Sequence, residues 1–150
     1  MKKYYHSPTR HPSKEMNIKY EILEHKADLK IRAFGKTKEE LFQNALLAMT
    51  ESQKGEDSSS KTERRIRTES MDLSSLLVDF LSQVLYLSQV NKETYNNIKF
   101  KKFSDTKLEG KLSGQKIERF GEDIKAVTYH NLNISQNKEG IWEVTILFDI

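Results

Sequence analysis

Leu73, Leu76, Leu77, Phe80, Leu81, Val84 and Leu85 recur at i, i+3, i+4, i+7, i+8, i+11 and i+12. That is the spacing of one face of an α-helix. No other periodic signal in the chain is as strong, and the rest of the fold has to cover the stripe. Burying those side chains is worth on the order of 10–20 kcal/mol gross, at about 1.5–3 kcal/mol each, before conformational entropy is deducted. Asp72 stands where an N-cap belongs, so the helix is expected over about 73–90. A second helix is expected to open at Thr37, where Thr37 and Glu40 match a capping box, and to fade near Gln53. Its stripe is Leu41, Phe42, Ala45, Leu46 and Met49.

The other patterned segments alternate, as strands do. Residues 18–23 read as a short strand. Residues 27–34 place Leu29, Ile31 and Ala33 on one face and Lys30 and Arg32 on the other, and Gly35 ends the run. Residues 52–61 read as a polar loop without a part in the core, and 62–70 as a polar edge strand. Residues 96–104 and 107–113 are expected to pair as a hairpin. Residues 124–135 are rich in β-formers, with Val127, Tyr129 and Asn131 opposed to Thr128, His130 and Leu132. Residues 136–140 form a turn before a last strand at 141–149. Gly110 and Gly114 read as a turn or strand irregularity, and Tyr129 and Trp142 as core aromatics. The order is ββαβα followed by four strands. Without regular βαβα alternation, the class is α+β: a mostly antiparallel or mixed sheet with two helices.

The charge is unevenly placed. The chain has 150 residues, 25 Lys and Arg, 22 Asp and Glu, and no Cys. Residues 1–16 hold four of the cations and one of the acids, together with both prolines, and read as a basic flexible tail. Met16 is a candidate start of a shorter product. Residues 17–150 are expected to form a single domain, and there the two signs balance at 21 each. That neutrality, with no stripe of interleaved aromatic and basic residues, speaks against direct nucleic-acid binding. No apolar run approaching a membrane span and no apolar signal-peptide core are seen in the sequence, so a cytoplasmic address is expected, with no membrane partner. The lack of Cys excludes disulfides, thiolate metal sites and a Cys nucleophile.

No Walker loop, dinucleotide fingerprint, nucleophile elbow or HExxH motif occurs. The segment Glu24-His25-Lys26-Ala27-Asp28 reads as a charged turn. His130 by itself reads as a hydrogen-bonded structural histidine. Asp149 is unusual: it follows the apolar run Val144–Phe148 and precedes only Ile150. A carboxylate at the end of a central strand costs desolvation unless paired, and the terminal carboxylate of Ile150 repels it. A divalent cation would relieve both, and Asp28 would join them if the first and last strands are neighbours. Three carboxylates suit a hard ion such as Ca²⁺, Mg²⁺ or Mn²⁺. The alternative is a solvated C-terminus.

Read together, these segments resemble the archease family. YEILEHKADLKIRAFGKTKEELFQNALLAM (20–49) is similar to the family's opening, with its E-H-x-A-D segment and the helix that follows. DLSSLLVDFLSQVLYL (72–87) is similar to its second-helix motif, and IKAVTYH (124–130) and ILFDI (146–150) to its last strands and C-terminus. The resemblance implies a compact α+β fold and a metal site made of Asp28, Asp149 and Ile150, with Ca²⁺ the ion most expected in a crystal and Mg²⁺ or Mn²⁺ as alternatives. It implies an orienting or structural role for His25, and a contact of Lys125 with a partner ligase or its nucleotide site. Lys26 stands where the family usually has Thr, and Phe80 where it has Trp.

The resemblance further implies a non-catalytic activator of an RtcB-type, tRNA-splicing RNA ligase. Such a protein promotes guanylylation of the ligase and its multiple turnover; GTP and Mn²⁺ belong to the ligase. RNA would be reached only indirectly, and a monomer is expected. Two other readings remain: a small metal-dependent hydrolase using Asp28, Asp149 and His130, and a chaperone-like or nucleic-acid-binding module.

Overall fold

The computed structural model describes residues 17–24, 28–130 and 132–150, the side chains of Glu24 and Asp57 excepted. The expected tail at 1–16 and the residues His25 and Lys26 lie outside that range. The elements run β1 (Tyr20–Glu24), β2 (Asp28–Gly35), α1 (Lys38–Ser52), β3 (Glu56–Glu69), α2 (Leu73–Asn91), β4 (Glu93–Phe103), β5 (Lys107–Arg119), β6 (Ala126–Thr128), β7 (Ser135–Gln136) and β8 (Trp142–Asp149). They form two sheets in which every pairing is antiparallel. The first runs β1-β2-β8-β6, with β7 also on β8, and the second runs β3-β5-β4. The α+β class read from the sequence is the one observed.

Both helices start where their caps place them. Thr37 accepts from the Glu40 N–H at 3.0 Å, while the Glu40 carboxylate reaches back to the Lys36 N–H at 2.9 Å, one residue before the cap itself. Asp72 accepts from the Ser75 N–H at 2.8 Å, a bond that holds its carboxyl below the usual range. Six of the seven stripe residues of α2 are buried, and Leu73 packs half-buried at its start. They join the inward faces of β1, β2 and β8 and the apolar residues Ile66, Tyr95, Leu108 and Leu112 of the second sheet in one core. By length and apolarity α2 reaches what a membrane-spanning helix needs, contrary to the sequence reading; here its apolar face is buried in that core.

The departures from the sequence reading have physical causes. Residues 52–61 are not a loop outside the core: Ser52 and Gln53 are buried at the end of α1, and β3 already begins at Glu56. β3 is an edge strand that reaches the core through Ile66 and Thr68, so alternation was not there to be read. Of 124–135, only Ala126–Thr128 and the last residue pair with β8. The chain leaves the sheet at Tyr129, which is not a core aromatic but 57% exposed, its hydroxyl donating to Asp79 of α2 at 2.6 Å. Trp142 does pack half-buried against the core. Arg32, opposite the apolar face of β2, is itself buried, beside the fully buried Glu21 at 3.8 Å. Gly110 and Gly114 lie within β5, where β4 shifts register against it. A Cβ on Gly114 would stand 1.9 Å from the Thr94 carbonyl oxygen, so only glycine allows that approach.

A second buried acid is fully satisfied. Glu93 opens β4 with no exposed surface and accepts two hydrogen bonds from Arg64 at 2.9 Å and one from the Tyr95 hydroxyl at 2.7 Å. The Arg64 hydrogen bonds hold the Glu93 carboxyl below its usual range against the cost of burial. Burial and the same carboxylate push the Tyr95 phenol up.

Candidate functional site

The register of the first sheet brings the two ends of the sequence pattern together. β8, the last strand, lies between β2 and β6. In this pairing Asp28 stands directly opposite Asp149, at the first residue of β2 and the last of β8. Residues opposite one another in an antiparallel pair share a face, with Cβ atoms about 4.5–5.5 Å apart. Asp149 faces Ala126 on its other side, and the Lys125 N–H donates to the Asp149 carbonyl at 2.7 Å. The sequence reading asked for the first and last strands to be neighbours; the strand beside β8 is instead the second, β2, which carries Asp28, and Lys125 is beside the pair.

Burial is not what the sequence argument supposed. Asp149 ends a central strand, yet it is exposed, and Asp28 is half-buried. What this sheet end does have is two like charges directly opposite one another, an arrangement that disfavours a sheet. Ile150 packs half-buried against the core, which fixes the chain end beside Asp149. Among the described residues, no three His, Cys, Asp or Glu side chains gather as a metal site. The side-chain donors at this end are the Asp28 and Asp149 carboxylates. Both are hard oxygen donors of the kind Ca²⁺, Mg²⁺ or Mn²⁺ take, so the donor chemistry fits such an ion. Thr128 lies on the same face, one row inward, and its hydroxyl oxygen is buried without a hydrogen-bond partner among the described residues.

The remaining candidates separate from this group. His25 lies outside the described residues. His130 is exposed, in a turn two residues past the end of β6 that lies away from Asp149. The hydrolase constellation of Asp28, Asp149 and His130 is thus not assembled. The sequence reading missed the link from Asp79 to the last segment: Asp79 accepts from Ser70 at 2.6 Å as well as from Tyr129, and that bond pushes the Tyr129 phenol up. It joins α2 to the stretch just after β6, and spacing gave no signal for it. A cleft of about 760 Å³ lies apart from this end, among β3, β4, β5 and Gln83 of α2.

Comparison with known proteins bears on the whole of this architecture. Residues 20–150 match the model of the Archease protein family (MTH1598/TM1083). The protein archease of Methanosarcina mazei is 39% identical over 146 residues, covering 88% of this chain and 96% of that protein. The protein archease of Methanosarcina barkeri is 37% identical over 145 residues, with 87% and 95% covered. The solution structure of Methanobacterium thermoautotrophicum protein 1598 superposes with a TM-score of 0.64 at 25% identity, over 87% of this chain and 98% of that one. A crystal structure from Thermotoga maritima, described as an archease and possible chaperone, gives 0.65 at 22% identity over 97% and 100%, a likeness of fold. With its family model matched from β1 to the last residue, the chain belongs to the archease family.

Proposed function

We propose that this protein activates an RtcB-type RNA ligase, working as a non-catalytic partner in the cytoplasm and presenting a carboxylate-lined tip to the ligase. The observation that carries the reading is the Asp28–Asp149 pairing beside the chain terminus. The family resemblance assigns a metal site to those residues, and the register brings them together independently of it. Asp28, Asp149 and the Ile150 carboxylate would hold the ion. A divalent cation bound there supplies charge neutralisation and a coordination centre at the tip. The chain itself fixes the position of that tip: β8 is held on both sides by β2 and β6, and the Lys125 N–H anchors the backbone at Asp149. Lys125 is exposed next to the pair, and this reading gives it the contact with the ligase or its nucleotide site.

The test is guanylylation and multiple-turnover ligation by a cognate ligase with GTP and Mn²⁺. Stimulation by the protein, lost in Asp28→Ala and Asp149→Ala while circular dichroism stays native, is the expected result. Full stimulation by either variant contradicts the role given to the pair. A residue added after Ile150 is expected to impair stimulation as well, because it moves the terminal carboxylate.

A further inference from the structure

The second sheet turns one face to the core and the other to solvent. On its solvent face, Arg65 of β3, Lys111 of β5 and Lys99 of β4 stand directly opposite one another in a single row across all three strands. All three are exposed. Like charges directly opposite destabilise a sheet. Lys111 reaches Glu63 at 3.9 Å, but among the described residues Arg65 and Lys99 have no ion-pair partner. The adjacent row shows how this fold relieves such crowding. There Glu109 stands between Arg67 and Lys102 and pairs with both, at 4.0 and 3.4 Å. Burial works against ionisation of Glu109, and Lys102 and Arg67 nonetheless hold its carboxyl below the usual range. The row of three cations has no such acid at its centre.

We infer that this row is a contact site for the phosphate backbone of RNA. Neighbouring strands are about 4.8 Å apart, so the row spaces its cations over about 10 Å across the sheet, a fit to successive phosphates of one strand. An acidic protein surface is the other polyanion to weigh. A protein interface is anchored by apolar and aromatic side chains at its centre. The solvent-facing positions flanking the row, Glu63, Ser113 and Asn97 on one side and Arg67, Glu109 and Lys102 on the other, supply none. The same lack removes base stacking, so the contact reads phosphates and carries no sequence preference. The choice of RNA over DNA rests on the ligase reading above. The sequence reading allowed RNA only through the ligase; the row gives a direct contact that balanced totals conceal.

The test is binding of the full-length protein, without ligase, to a fluorescein-labelled RNA hairpin as salt is varied. The variant carries Arg65→Thr, Lys99→Thr and Lys111→Thr, changes to a good strand former at exposed positions. A control removes the same charge at exposed sites off the sheet, with Lys36→Gln, Lys92→Gln and Lys138→Gln. The basic N-terminal segment is the same in all three proteins. Affinity is expected to fall about tenfold or more at low salt in the row variant, with a salt slope shallower by about two units, and to change little in the control. Equal losses in both, or none in the row variant, overturn the inference. If polyglutamate competes as well as RNA, the row serves an acidic protein surface and the RNA assignment is overturned. Asp28→Ala is expected to bind the hairpin normally. RNA binding without ligase stimulation therefore sinks only the proposed function, and the reverse sinks only this inference.

Discussion

The two sheets each set like charges side by side, with opposite sign and in different settings. In the first, Asp28 and Asp149 face each other at the strand ends, next to the last residue of the chain. In the second, Arg65, Lys111 and Lys99 cross the middle of an open face. Carboxylates converging on one point are relieved by a single small cation. Cations spread along a row are relieved by an extended polyanion. Both arrangements cost the isolated fold stability, and neither shows in the net charge, because residues 17–150 carry 21 charges of each sign.

Asp28→Ala or Asp149→Ala breaks the comparison most completely. Stimulation of ligation is expected to fall at least tenfold in each, about 1.4 kcal/mol or more, while RNA affinity stays unchanged; paired ligation and binding assays check this. Next in size is the response to metal. After chelation, adding Ca²⁺ to a hundred times its dissociation constant is expected to raise unfolding free energy by about 2.7 kcal/mol. The double variant Asp28→Ala, Asp149→Ala is expected to show no rise in urea titrations.

Glu93 sharpens the comparison from the other side, since it is a buried charge that the fold does satisfy. Glu93→Ala removes the partner of Arg64 and is expected to cost about 2–3 kcal/mol, somewhat less than a fully buried pair because Arg64 remains partly solvated. Its folded pKa is depressed. Its stabilisation is therefore fully present above the unfolded carboxyl pKa of about 4.3, and is lost as pH falls through the lower folded value. Urea midpoints measured down the acid limb are expected to fall less steeply in Glu93→Gln than in the wild type. The smallest effect is at the row: Arg65→Thr is expected to stabilise the protein by about 0.5 kcal/mol in low salt. That gain should shrink as salt is added, and thermal denaturation at two ionic strengths measures it.

Much of this was legible in the sequence where one residue pattern answered to one environment. The stripe of α2 and its Asp72 cap, and the Thr37 start of α1, are read directly, because helix periodicity and capping are local. The Asp28–Asp149 pairing was legible in its chemistry, but it depended on β2 and β8 being neighbours, and no local pattern says which strands pair. β3 was half hidden because an edge strand with few core contacts needs little alternation. The stretch after β6 was overread as strand: its residues are β-formers, but pairing with β8 stops at Thr128 and the next residue, Tyr129, bonds to Asp79 of α2. The cation row was only partly in view: the expected hairpin of 96–104 and 107–113 puts Lys99 and Lys111 on partner strands, but only the observed register sets them opposite one another and adds Arg65 from β3.

The central claim is that the carboxylate tip acts on a ligase. Its most direct test is multiple-turnover RNA ligation by a cognate RtcB-type ligase with GTP and Mn²⁺, comparing no addition, the wild-type protein and Asp28→Ala. The predicted result is sustained turnover with the wild type and the unstimulated baseline with Asp28→Ala. Absence of stimulation by the wild type, or equal stimulation by Asp28→Ala, would contradict it.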